Sequence, residues 1–196
     1  MSFYTGTQSE VLFAGPPAAY AAAGASTASA FIAFLPGTGN YQQPLFPGGF
    51  WQQGRTGQTA SVDIYATING QVSATTLTLI LGLNTAANSV SSLSTLLTLP
   101  ALTVTSFANA PIWIHADILN RGAGFGTSSV STNLTTSGMY LEGAGPTPGL
   151  IGAVAPTALQ TTDFSVNQWL MLQGTYSTSA AGNNITVNTV IVRGEN

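Results

Sequence analysis

Hydrophobic and polar residues alternate with a period of two along several stretches of this chain, the spacing of a strand with one buried face. In 62–68, Val62, Ile64, Ala66 and Ile68 fall on one face and Asp63, Tyr65 and Thr67 on the other. Asn69-Gly70 follows, the dipeptide most favoured in two-residue hairpins, so 75–83 is expected as the hairpin partner, with Leu77, Leu79, Leu81 and Leu83 inward. Residues 111–120 alternate as cleanly: Ile112, Ile114, Ala116 and Ile118 share one face, and Trp113, His115, Asp117 and Leu119 the other. Shorter strands are expected at 29–35, 96–99 and 102–107 and around Met139 to Leu141. No stretch sustains a 3.6-residue apolar period, so helix should be minor. The pattern predicts an all-β fold, a jelly-roll-like antiparallel β-sandwich of about eight strands.

The last part of the chain, 168–193, reads as two long strands joined by a turn at Ala181-Gly182-Asn183-Asn184, a closing hairpin rich in β-branched and aromatic residues. Its second arm breaks the alternation. Ile185 and Val187 point to one face, Val190 and Val192 to the other, and Ile191 back to the first. Either a bulge shifts the phase or both faces are covered. Under the second alternative a neighbouring subunit supplies the cover, and Val190, Ile191 and Val192 become expected interface residues.

Two segments lack any clean pattern. Residues 1–28 form an Ala/Pro-rich stretch in which Pro16, Pro17 and Gly24 cut the helix-favouring alanines, so an extended N-terminal arm is expected, either ordered across a neighbour or loose. The sandwich domain is assigned to 29–196. The loop at 37–57 carries Tyr41, Phe46, Phe50 and Trp51 among prolines and glycines. A loop this long and aromatic either packs on the body or serves as a contact surface, and these four residues join the expected interface.

Charge changes the picture most. Lys plus Arg number 3, Asp plus Glu 6 and His 1, and charged residues make up 5% of the chain against about 25% in an ordinary soluble domain. Hydrophobic content of 44% argues that the chain nonetheless buries a core. A surface short of mixed charge favours self-association, so a place inside an assembly is expected. A net charge of −3 gives no footprint for nucleic acid or an anionic membrane. The longest apolar run, 77–83, is far shorter than the ~20 residues of a membrane-spanning helix, and the first ten residues carry no signal-peptide pattern. Cysteine is absent, which removes disulfides and thiolate metal sites.

Little catalytic chemistry is on offer. His115 and Asp117 lie two apart on one strand face, but such a pair points in parallel, which is poor geometry for an Asp-oriented histidine in a triad. Asp63 could pair with Asp117 or Glu142 as glycosidase carboxylates, yet nothing local brings them together. No calcium-loop motif is present, and the glycine-rich 122–126 has neither a lysine nor a following helix to cradle a phosphate. No catalytic, cofactor or metal residue is therefore expected. A sugar site lined by Tyr41, Trp51 and Trp113 is the alternative use for the aromatic residues.

The N-terminal FYTGT, the strand WIHADILNRGAG and the closing DFSVNQWLMLQGTYSTSAAGNNITVNTVIVRGEN together resemble jelly-roll structural proteins of tailed bacteriophage virions, of the head decoration (cement) or fibre type. The resemblance implies a homotrimer seated on a lattice of the major capsid protein, located on the virion and without catalytic residues. A minor tail or fibre module binding host-surface glycan is the alternative within the same class.

Overall fold

A computed structural model describes residues 9–15, 31–32, 44–50, 58–70, 75–86, 93–104, 107–121, 131–142, 149–154, 160–178, 180 and 183–195. Those residues contain thirteen strands and no helix. In chain order these are β1 (Ser9–Gly15), β2 (Phe31–Ile32), β3 (Leu45–Phe46), β4 (Thr59–Gly70), β5 (Thr75–Asn84), β6 (Ser94–Thr98) and β7 (Leu102–Val104). They continue with β8 (Phe107–Asn120), β9 (Ser131–Glu142), β10 (Gly149–Val154), β11 (Gln160–Asp163), β12 (Gln168–Tyr176) and β13 (Asn184–Glu195).

The strands form two sheets, all pairings antiparallel. The first runs β1-β13-β4-β8-β9-β10, with β11 also on β9; the second runs β2-β12-β5-β6, with β3 on β12 and β7 on β5. The pairings nest along the chain. β1 pairs with β13, β2 with β12, β4 with β8, and β5 with β6 and β7, so the chain doubles back on itself as a ribbon and the ribbon rolls into two sheets. That is the jelly roll, in which wrapping protects most strand edges. Strands β9, β10 and β11 extend the first sheet beyond β8, and β3 adds a short edge pairing. The count exceeds the expected eight because of these additions and because one strand position is shared by β6 and β7.

The inward faces are those the alternation marked. Ala60, Val62, Ile64, Ala66 and Ile68 of β4 and Ile112, Ile114, Ala116 and Ile118 of β8 meet Leu77, Leu79, Leu81 and Leu83 of β5 and Leu170 and Leu172 of β12 in one core. Each fully buried Leu or Ile contributes roughly 1.5–3 kcal/mol relative to exposure.

Neither expected hairpin forms. β4 lies in the first sheet and β5 in the second, and β12 and β13 are divided in the same way. Both turns are arches that carry the chain across the core. Alternation does not separate a hairpin, which sets two apolar faces side by side, from an arch, which sets them face to face. The two arches run together: Asn69 Nδ2 donates to Asn184 Oδ1 at 2.7 Å. The hydroxyl of the buried Tyr176, at the end of β12, shares its proton between the carbonyls of Asn69 (2.9 Å) and Asn184 (3.0 Å). Burial raises the Tyr176 pKa well above its ordinary value of 10.0, so the hydroxyl stays a donor. Tyr176→Phe, which keeps the ring and deletes this tie between the sheets, is expected to cost about 1–2 kcal/mol in urea denaturation. An unchanged midpoint would show that the arches do not depend on it.

A bulge resolves the broken alternation of the last strand. The register of β13 against β4 shifts between Val187 and Thr189, leaving Asn188 as the extra residue. The phase flips there, and Ile185, Val187, Val190 and Val192 all enter the core. Val190 and Val192 are 0% exposed within the single chain, so a neighbouring subunit is not what covers them, and their assignment to an interface is corrected. Ile191 lies on the outer face, half-buried, opposite Asp63.

Two further expectations change. Ser9–Gly15, assigned to the arm, is the first jelly-roll strand, with Phe13 in the core; 16–28 lie outside the described residues. The aromatic loop packs on the body, at least through 44–50. Phe46 is 0% exposed, edge-on to Phe164 at 6.2 Å and 5.5 Å from Phe50, which makes it a core residue and corrects its interface assignment. Phe50 is partly buried over Gly194, where a Cβ would overlap its ring. Gly49, at φ +82°, turns the chain, and Gly48 and Gly49 donate to Asn167 Oδ1 and Phe164 O. Tyr41 and Trp51 lie outside the described residues.

Candidate functional site

The outer face of the first sheet gathers Asp63, His115, Asp117 and Arg193 from a chain with so few charged residues. Three adjacent strands supply them. Asp63 on β4 stands in register with His115 on β8 and Ile191 on β13, and Ser61, one position along the same face, stands between Asp117 and Arg193. The inward alternation of β4 and β8 forces these residues outward, and the Asn188 bulge does the same for Arg193.

Asp63 is the hub. Its Oδ1 accepts from His115 Nδ1 at 2.9 Å and from Trp113 Nε1 at 3.2 Å, and its Oδ2 accepts from Arg193 Nη1 at 2.8 Å. Its side chain is 12% exposed, against 25% for His115 and 40% for Arg193. Burial pushes the Asp63 pKa up, but hydrogen bonds from His115, Arg193 and Trp113 and the charge of His115 outweigh it, holding the carboxyl below its ordinary 3.8. The folded state therefore binds fewer protons here than the unfolded state. The resulting stability is fully present above the unfolded value and is lost as pH falls through the folded one. The stability advantage of the wild type over Asp63→Asn is expected to shrink as pH drops below 3.8. Chemical denaturation of both proteins across that range checks it, and a pH-independent difference would contradict it.

The second ring nitrogen of His115, Nε2, lies 3.3 Å from Asp117 Oδ1. A carboxylate only accepts, so Nδ1 carries a proton towards Asp63, and the Asp117 contact is a hydrogen bond whenever Nε2 is protonated too. The parallel i,i+2 pair thus does meet, contrary to the sequence expectation, because His115 is held from the other side by Asp63. Asp63 and His115 reproduce the orienting half of a nucleophile triad. The position at Nε2 where a serine oxygen would sit is faced by Asp117 instead. Among the described residues no group of three or more His, Cys, Asp or Glu could hold a metal ion.

Beside the charged row stand two aromatic rings. Tyr65, 44% exposed, and Trp113 are cross-strand partners with centroids 6.4 Å apart and planes 22° from parallel. Trp113 also leans on His115 at 5.8 Å. Of these residues, Trp113, His115, Asp117, Asp63 and Tyr65 were legible as outward-facing, though Tyr65 was not taken as a site residue, while Arg193 was not singled out. Only the pairing of β4 between β13 and β8 brings them together, and nothing local in the chain specifies that pairing.

No family model matches the chain, and none of the curated proteins is similar to it. Among solved structures, a GH43 glycoside hydrolase engineered to display both endo-xylanase and exo-arabinofuranosidase activity aligns with 68% of this chain and 29% of its own, at 14% identity and a TM-score of 0.35. At that score it carries no weight for fold or function. Among the described residues no helix is long and apolar enough to cross a membrane.

Proposed function

We propose that this chain is a virion structural protein, an oligomeric, non-catalytic jelly-roll subunit that decorates a tailed-phage head by binding the major capsid protein across capsomer junctions. The observation that carries the reading is the scarcity of charge on a jelly-roll sandwich. Charged residues are 5% of the chain, and three of them, Asp63, Asp117 and Arg193, are engaged with one another and with His115 around Asp63. The remaining surface has little with which to keep copies apart or to reject an uncharged neighbour. Such contacts can each be weak, and repetition over a lattice makes the whole tight. The engagement of both His115 ring nitrogens by carboxylates supports a structural role for that residue as well. Sedimentation equilibrium is expected to return three times the chain mass at micromolar concentration. A monomer that stays monomeric as concentration rises would contradict the oligomeric part of the proposal.

A further inference from the structure

We propose that the outer face of the first sheet is a binding site for an uncharged oligosaccharide, stacked on Tyr65 and Trp113 and hydrogen-bonded by Asp117 and Arg193. This goes beyond the assembly role and does not depend on it.

The rings provide the apolar half of the site. Trp113 is engaged by Tyr65 at 6.4 Å and by His115 at 5.8 Å between centroids, so the ring surface open to a ligand is chiefly that of Tyr65, 44% exposed. Most large apolar side chains among the described residues are buried, so Tyr65, held against Trp113 yet so exposed, stands out as ring surface that a ligand can cover. A pyranose presents a C–H-rich face of matching width to such a platform, and the amphipathic ring tolerates both water and sugar.

The polar half is already oriented. Asp63 fixes Trp113 through its indole N–H and Arg193 through Nη1, and His115 is held between two carboxylates. Ordering these groups costs nothing further when a ligand arrives, which favours affinity. Capacity remains among the described residues: Asp117, 62% exposed, contacts His115 through Oδ1, and Arg193, 40% exposed, contacts Asp63 through Nη1, so each presents further polar atoms, Oδ2 as an acceptor and Nε and Nη2 as donors, at an exposed position. An acceptor and a donor on one face suit adjacent hydroxyls, each of which gives and takes a hydrogen bond.

Charge and length select the ligand class. Two carboxylates against one guanidinium and one imidazole offer no surplus of positive charge for a phosphate, sulfate or sialic acid, which disfavours nucleotides and acidic glycans. Trp113 to Asp117 spans about 14 Å along β8 at ~3.4 Å per residue, longer than one pyranose ring. A di- or trisaccharide covers it, one residue on the rings and the next on the charged row.

The test is an array of neutral oligosaccharides (glucans, galactans, mannans and N-acetylhexosamine chains) with sialylated and sulfated counterparts, probed with the full chain. Hits are followed by titration calorimetry. Binding is expected to at least one neutral class, weakened tenfold or more in Tyr65→Ala and in Asp117→Asn, both at exposed positions and both with an unchanged circular dichroism spectrum and sedimentation mass. The proposal is overturned by wild type that binds no neutral glycan, by a preference for the acidic counterparts, or by affinity that both variants retain. A reduced oligomer mass in Tyr65→Ala would also overturn it, since it would place the rings in a subunit contact.

Discussion

Val190→Lys is expected to abolish the fold, while Ile191→Lys, one residue away, is expected to be nearly silent. Val190 is 0% exposed between the two sheets, in a core that offers an ammonium no partner among the apolar residues around it. Burying such a charge costs several kcal/mol even after relaxation, and holding the amine neutral requires a pKa depressed by several units. A destabilisation of about 4 kcal/mol or more follows, a large part of the 5–15 kcal/mol that holds a domain together. Ile191 faces outward next to the hub carboxylate Asp63, where a lysine stem can lie along the sheet and keep its head in water. Its loss is expected to stay within about 1 kcal/mol. Soluble yield and the urea midpoint separate the two. Equal tolerance of both lysines would remove the bulge at Asn188 from the account.

Phe46→Ala carries the second large effect. Phe46 is closed in by Phe164 edge-on at 6.2 Å and by Phe50 at 5.5 Å, with Leu45 and Phe46 paired to Trp169 and Gln168 of β12. Deleting its ring removes buried area and leaves a cavity that the paired backbone limits from collapsing, a change that typically costs 3–5 kcal/mol. The expected result is a lower denaturation midpoint at any protein concentration. If Phe46 were instead a subunit contact, the midpoint would fall only through dissociation and would recover as concentration rises.

Much of the fold was legible in the chain. The inward faces of β4, β5 and β8 follow from alternation alone, because a one-sided core imposes period two on each strand. What alternation does not encode is which sheet a strand joins. Asn69-Gly70 and 181–184 are turn chemistry for a hairpin and for an arch alike, so both reversals were assigned to hairpins although Tyr176 and the Asn69–Asn184 pair tie them as arches. In β13 the broken phase at 187–190 was visible, with a bulge as one of its two explanations; the neighbour explanation fell because pairing with the consecutive Ala66 and Tyr65 of β4 leaves Asn188 of β13 as an extra residue. Phe46 was misassigned for a related reason: aromatic residues in a proline-rich loop look the same whether the loop turns inward or outward. The Asp63 hub was invisible from sequence, since its partners lie 50 to 130 residues away and meet only through sheet order.

The proposed decoration role is tested most directly by cosedimentation of the purified chain with empty heads of the tailed phage to which the proposal assigns it. Saturable binding at a fixed number of copies per capsomer, largely indifferent to salt because so few charges are involved, is the predicted result. Failure to pellet with the heads at any concentration, by a chain that is folded and oligomeric, would contradict it.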